Sequence, residues 1–155
     1  MISKKDIKVH ANTKGRPLGI AFSKKLNSLI AADAARRSVL RISLGNGSIS
    51  LLCNEYEDME LNGPSDLIIT NTDEIIFTDP IRNPFPNPCI SPVYKLSESK
   101  NIEIFLSDLA FPSGIANIDN KILISETRAN RLVVMENIES DEIIEPQMFR
   151  RFADP

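Results

Sequence analysis

The sequence holds no tryptophan, one histidine, two cysteines and only six glycines among 155 residues. Each scarcity closes off a class of chemistry. With His10 as the sole imidazole, a serine hydrolase triad has one candidate base, and it sits in Ile7-Lys8-Val9-His10, an alternating pattern that reads as a strand face. Cys53 and Cys89 lie 36 positions apart without C-x-x-C spacing, so two thiols cannot supply a structural zinc site and read as small apolar fillers. No apolar run is long enough to span a bilayer, and the amino-terminal lysines have no hydrophobic stretch behind them. A cytoplasmic setting without a membrane partner is the expectation. Positive charge is also short: the net charge of −3, with only the pairs Arg36-Arg37 and Arg150-Arg151, argues against nucleic acid as a partner. Gly45-Asn46-Gly47 is no phosphate cradle, because no helix follows and a tight hairpin accounts for both glycines.

What the sequence does have is a period. Pro17-Leu18-Gly19-Ile20-Ala21-Phe22 leads into Ser28-Leu29-Ile30-Ala31-Ala32-Asp33 and then Val39-Leu40-Arg41-Ile42-Ser43. The same order recurs from Pro64 through Glu74–Asp79 to Val93–Ser97, and from Pro112 through Lys121–Glu126 to Arg131–Met135. The three prolines are 47 and 48 residues apart. The apolar runs are short, rich in Ile, Leu and Val, and closed by turn formers, which predicts strands. A fourth strand fits at Ile49–Cys53 and at Ile102–Leu106, and more weakly around Met148–Phe152. Four strands repeated about every 45 residues describe a β-propeller blade. The expected fold is all-β, with three four-stranded blades at about residues 15–53, 62–106 and 110–152, and no helix of three turns over 15–136. An acidic residue closes each second strand, as Asp33, Asp79 and Glu126, a register that a sandwich has no reason to keep.

Four segments carry a resemblance. Glu55–Leu67 is similar to R-Y-E-G-K-R-L-N-S-P-N-D-L, Ile75–Pro80 to I-x-F-T-D-P, Arg36–Ile42 to N-R-R-V-x-R-I, and Leu109–Ala116 to L-x-F-P-N-G-I-A. In this order and spacing they resemble the SMP-30, gluconolactonase and luciferin-regenerating enzyme group of six-bladed propellers, with strictosidine synthase-like proteins close behind. The resemblance covers about residues 14–136 and implies an ancestral lactone or ester hydrolase, with one divalent cation, calcium or zinc, where the blades converge.

Carried over residue by residue, the implied site is incomplete. The substrate-contacting asparagine of P-N-D falls on Ser65, and the metal-binding asparagine of F-P-N-G falls on Ser113. The remaining implied ligands match no position of this sequence. A hydroxyl is neutral and shorter than an amide, so it is a poorer ligand. Asp33, Asp79 and Glu126 are the other candidates; the favoured reading is that they lock blade corners by accepting backbone hydrogen bonds of the next strand or loop. The implied partners are a small lactone or ester, or a protein met through the proline-rich Pro80–Pro92 loop. Three blades cannot close a ring, so the missing half belongs to a second copy or the gene is a truncated remnant.

Overall fold

The structure is a computed structural model that describes residues 7–80, 84, 87, 90–136 and the backbone of 147–151. Three antiparallel sheets follow one another along the chain, each a meander of four strands in sequence order. The first holds β1 (Pro17–Ser23), β2 (Ser28–Asp33), β3 (Ser38–Ser43) and β4 (Ile49–Cys53). A two-stranded hairpin, β5 (Glu55–Tyr56) and β6 (Met59–Glu60), then links to the second sheet. That sheet is built from β7 (Leu67–Ile69), β8 (Ile75–Thr78), β9 (Ile90–Leu96) and β10 (Ile102–Ala110). The third holds β11 (Pro112–Ile118), β12 (Lys121–Glu126), β13 (Arg131–Glu136) and β14 (Gln147–Arg151). The only helical segment among the described residues is a single 3-10 turn, Thr127–Ala129, so no helix there could cross a membrane.

The repeat read from the sequence is the repeat of the sheets. β10 runs to Ala110, four residues beyond the expected Leu106, because Phe105, Leu106 and Leu109 join an apolar cluster with the third sheet. The hairpin at 55–60 was not expected as strand. Its tip residues Glu57 and Asp58 both take positive φ, a conformation that Asp tolerates but that Glu57 does not advertise in the sequence. Of the Pro80–Pro92 loop, residues 81–83, 85, 86, 88 and 89 lie outside the described residues.

Each sheet is apolar on both faces, which is why the strands read as nearly continuous hydrophobic runs rather than strict alternations. Between the first and second sheets lie Ile30, Ala32, Val39, Leu67, Ile75, Phe77, Tyr94 and Leu96. Phe77 and Tyr56 both pack against Tyr94, with ring centroids 5.5 and 5.2 Å away. Between the second and third sheets lie Ile68, Ile76, Val93, Ile115, Ile122, Ile124 and Val133. Face-to-face packing of successive sheets sets the first strands β1, β7 and β11 side by side, as in the inner ring of a propeller.

Candidate functional site

The inner strands begin at equivalent positions, and their amino-terminal ends converge. Counting from the repeated proline, the next two residues are Leu18-Gly19, Ser65-Asp66 and Ser113-Gly114. Asp66 stands at the centre of this convergence. Its Oδ1 accepts from the backbone N–H of Leu67 at 2.9 Å, and its Oδ2 accepts from the N–H of Ile115, in the neighbouring sheet, at 3.1 Å. On the other side Gly19 closes against it: a β-carbon added there would lie 2.6 Å from the Asp66 Cα. One carboxylate thus ties two inner strands together and packs on a third, and the absent side chain of Gly19 makes the approach possible.

Ser65 and Ser113, the two positions singled out by resemblance, both stand at this end of the sheets. The Ser65 N–H donates to the carbonyl of Thr78 at 3.0 Å. The Ser113 hydroxyl lies 2.6 Å from the Thr127 hydroxyl and 3.2 Å from that of Ser125, whose oxygen also accepts from the Gly114 N–H at 2.9 Å. Ser113, Ser125 and Thr127 therefore form a small patch of neutral hydroxyls. Thr78 borders it: its Oγ1 accepts from the N–H of Asp66 at 3.1 Å and reaches the Ser113 carbonyl at 3.5 Å.

The three recurrent acids stand at this same end of the sheets, one strand farther out at the blade corners, and all are fully buried. Asp33 Oδ1 accepts from the N–H groups of Arg16 at 2.7 Å and Arg36 at 3.0 Å. Asp79 takes the N–H of Asn62 on Oδ2 and that of Gly63 on Oδ1, both at 2.7 Å, while the Asn62 amide donates to the Asp79 carbonyl at 3.0 Å. Glu126 accepts from the Ala110 N–H at 2.8 Å and is paired with Arg131. In every sheet the acid ending the second strand therefore holds the chain segment that enters the first strand, 16 or 17 residues upstream. Sequence reasoning placed the backbone donors in the next strand or loop; among the backbone donors only Arg36 fits that description, with the Arg131 side chain also reaching Glu126 from the next strand, because the segment that must be pinned at each corner is the incoming one.

The electrostatics of these corners differ. Burial alone would raise the Asp33 carboxyl, but hydrogen bonds from Thr13, Arg16 and Arg36, with the Arg36 charge, hold it below the ordinary carboxylate value. At Asp79 burial prevails over the hydrogen bonds from Gly63 and Asn62 and the Arg37 charge, and the carboxyl is pushed up to about 7. Cys53 packs against the first apolar cluster, and burial lifts its thiol to about 12. His10 is exposed and outside any strand, its Nε2 2.9 Å from the Ser43 carbonyl oxygen.

Sequence reasoning missed Asp66. The signal was present as the triplet Gly19, Asp66, Gly114 at one repeat position, an acid flanked in the neighbouring repeats by the residue that leaves room for it.

A divalent cation needs several oxygen ligands, preferably charged. Among the described residues no three His, Cys, Asp or Glu side chains gather in one place, the corner acids point into backbone amides, and the hydroxyl patch is neutral. These residues do not fit the cation of the resembled family.

Comparison with solved structures identifies the architecture. A gluconolactonase from Xanthomonas campestris superposes with a TM-score of 0.73 and 22% identity, over 86% of this chain and 48% of that one. The chain has the gluconolactonase-type β-propeller fold. A second crystallographic structure, of a protein assigned as a gluconolactonase, superposes with a TM-score of 0.76 and 20% identity, over 90% of this chain and 51% of that one. In sequence, the Adipocyte plasma membrane-associated protein Hemomucin of Drosophila melanogaster is 31% identical over 137 residues, 76% of this chain and 23% of that protein. No protein-family model matches the chain. The chain thus spans about half of each solved gluconolactonase-type propeller, and these neighbours are the proteins toward which its motifs pointed.

Proposed function

We propose that this chain is a gluconolactonase-like half-propeller whose inner-strand end binds a small, neutral, oxygen-rich molecule of the lactone or ester class without a divalent cation, and that hydrolysis is impaired. The observation that carries this reading is the hydroxyl patch that Ser125 and Thr127 form around Ser113, the residue matched to the metal-binding asparagine of the resembled family. Hydroxyls can donate to and accept from a carbonyl or hydroxyl group, but they supply no charge to activate water. The carboxylates that could move a proton are engaged with backbone amides, Asp33, Asp79 and Glu126 at the corners and Asp66 between the inner strands. Isothermal titration with calcium and with zinc, alongside lactone and aryl-ester hydrolysis assays, tests the proposal. Dissociation constants no tighter than about 10⁻⁴ M and hydrolysis at the buffer rate are expected. Micromolar cation binding, or metal-stimulated turnover, would show that Ser65 and Ser113 have been misread.

A further inference from the structure

The inner strands share one irregularity. Pro17 pairs with Asp33 and Gly19 with Ala32, so Leu18 stands unpaired between them; Pro112 pairs with Glu126 and Gly114 with Ser125, which leaves Ser113 in the same situation. In the second sheet the Ser65 N–H and the Asp66 carbonyl both bond to the single residue Thr78, so Ser65 is the extra residue there. Such a bulge takes a side chain out of the alternation of its strand and re-aims it. Leu18, Ser65 and Ser113 are therefore equivalent positions on one rim. The rim is continuous: the Ser65 carbonyl oxygen lies 3.0 Å from where a β-carbon on Gly19 would stand, and the Ser113 carbonyl oxygen lies 3.5 Å from Thr78 Oγ1. Its polarity changes from sheet to sheet. Taking the bulged residue, the second-strand residue opposite it and the residue after the corner acid, the third sheet has Ser113, Ser125 and Thr127, the second Ser65, Thr78 and Pro80, and the first Leu18, Ala32 and Ala34. The backbone corresponds throughout: the N–H of Ala34 donates to the Arg16 carbonyl at 3.0 Å and that of Thr127 to the Phe111 carbonyl at 3.1 Å, each acceptor being the residue before the repeat proline. Ala32 and Ala34 are buried, and Leu18 is 49% exposed.

We propose that Leu18 is a specificity-determining residue, and that the molecule bound at the inner-strand end is an amphipathic lactone or ester. Its oxygen-bearing group sits on the hydroxyls of the third sheet, and its apolar arm crosses Ser65 to lie on Leu18. The inference rests on the ligand-binding role proposed above for the hydroxyl patch and adds the character of the ligand's other end. A leucine side chain neither donates nor accepts a hydrogen bond, so a ligand hydroxyl placed against it gives up water and gains no partner. An alkyl arm placed there removes apolar surface from water on both sides. The first sheet therefore favours an apolar arm over the hydroxyls of a sugar-like lactone. Burial within the chain does not account for this leucine, which belongs to neither apolar cluster between the sheets. The cleft beneath residues 9–15 is bordered by Pro17 and Ile20 and not by Leu18. A serine meets the backbone requirement of the bulge, as Ser65 and Ser113 do in the other two sheets.

Ligand-observed NMR titration of the purified 155-residue chain with δ-decalactone and with δ-valerolactone tests it, because the two share one lactone ring and only the first carries an alkyl arm. The decalactone is expected to bind about tenfold more tightly, the scale of a few methylene groups covering a half-exposed leucine. Leu18→Ser should bring that ratio to about twofold or less and leave the valerolactone constant as it is. Ser113→Ala should weaken both ligands alike. Equal affinities in the unmodified chain, or a ratio that Leu18→Ser leaves in place, would overturn the role of Leu18 and leave the hydroxyl patch as the binding site. Binding of neither lactone, or affinities indifferent to Ser113→Ala, would overturn the ligand-binding role of the patch and this inference with it.

Discussion

Gly19 and Asp66 form a contact in which the space left by one residue is filled by the backbone and carboxylate of another. The Asp66 Cα is fixed by hydrogen bonds on both sides, its N–H to Thr78 Oγ1 and its carbonyl to the Thr78 N–H, so it cannot retreat from an added methyl group. Gly19→Ala is therefore expected to push the first and second inner strands apart and to cost about 1–3 kcal/mol, the range for overpacking a tight site. Urea unfolding monitored by circular dichroism measures it; a midpoint equal to that of the unmodified chain would mean that the approach is looser than 2.6 Å. The motifs that carry the family resemblance also act largely at this scale. Arg37 of the Arg-Arg pair donates to the Leu61 carbonyl and to Glu60, and Asn62 binds Asp79, so these residues join one repeat to the next rather than touch a ligand.

Among elements, the recurring device is the blade corner, where a buried acid ends the second strand and holds the entry to the first. Its pH dependence differs from sheet to sheet. Asp79 has a folded value near 7, above the ordinary 3.8, so its contribution is fully present below about pH 4 and is lost as pH rises through 7. Asp33 is shifted the other way, so its contribution is present above 3.8 and is lost as pH falls through its lower folded value. Between pH 4 and pH 8 the Asp79 effect stands alone of the two. Unfolding free energy should decline across that interval, and Asp79→Asn, which cannot ionise, should flatten the decline. A slope that the substitution leaves untouched would show that the hydrogen bonds from Asn62 and Gly63 keep Asp79 ionised at all these pH values.

For the whole molecule, two apolar layers between three sheets carry the stability, and the layer around Phe77 has most of the aromatic content, with Tyr94 and Tyr56 against the single Phe105 of the other. Phe77 is fully buried, and its cavity would be walled by Tyr94, Leu67 and Val39, which are anchored in three different strands. Phe77→Ala is expected to cost about 3–5 kcal/mol and to lower the urea midpoint of the chain as a whole, because the second sheet contributes to both layers. Separate transitions, with the third sheet unaffected, would instead show that the two layers unfold independently. Repeat architectures transmit such losses through neighbour interfaces, since each repeat is held mainly by the next.

The fold was legible in the sequence because blade formation is written locally: strand-length apolar runs, turn residues between them, and a proline and an acid at fixed places in each repeat. The order of the sheets, the lack of any long helix among the described residues and the position of Ser65 and Ser113 at one end follow from that period alone. The corner-locking role of the acids was legible as well, but not which segment each one holds, because a hydrogen bond between Asp79 and the N–H of Gly63 depends on the path of the backbone between them and leaves no periodic trace. The hairpin at 55–60 escaped for a local reason, as its turn puts Glu57 at positive φ ahead of Asp58, where glycine or asparagine would have announced it. Asp66 was hidden differently: its partners come from two other repeats, so its function exists only once three inner strands are brought side by side. Sequence determined what each repeat is, and tertiary structure decided which atoms of different repeats meet, because those meetings depend on how far one sheet is rotated against the next and no single repeat encodes that rotation.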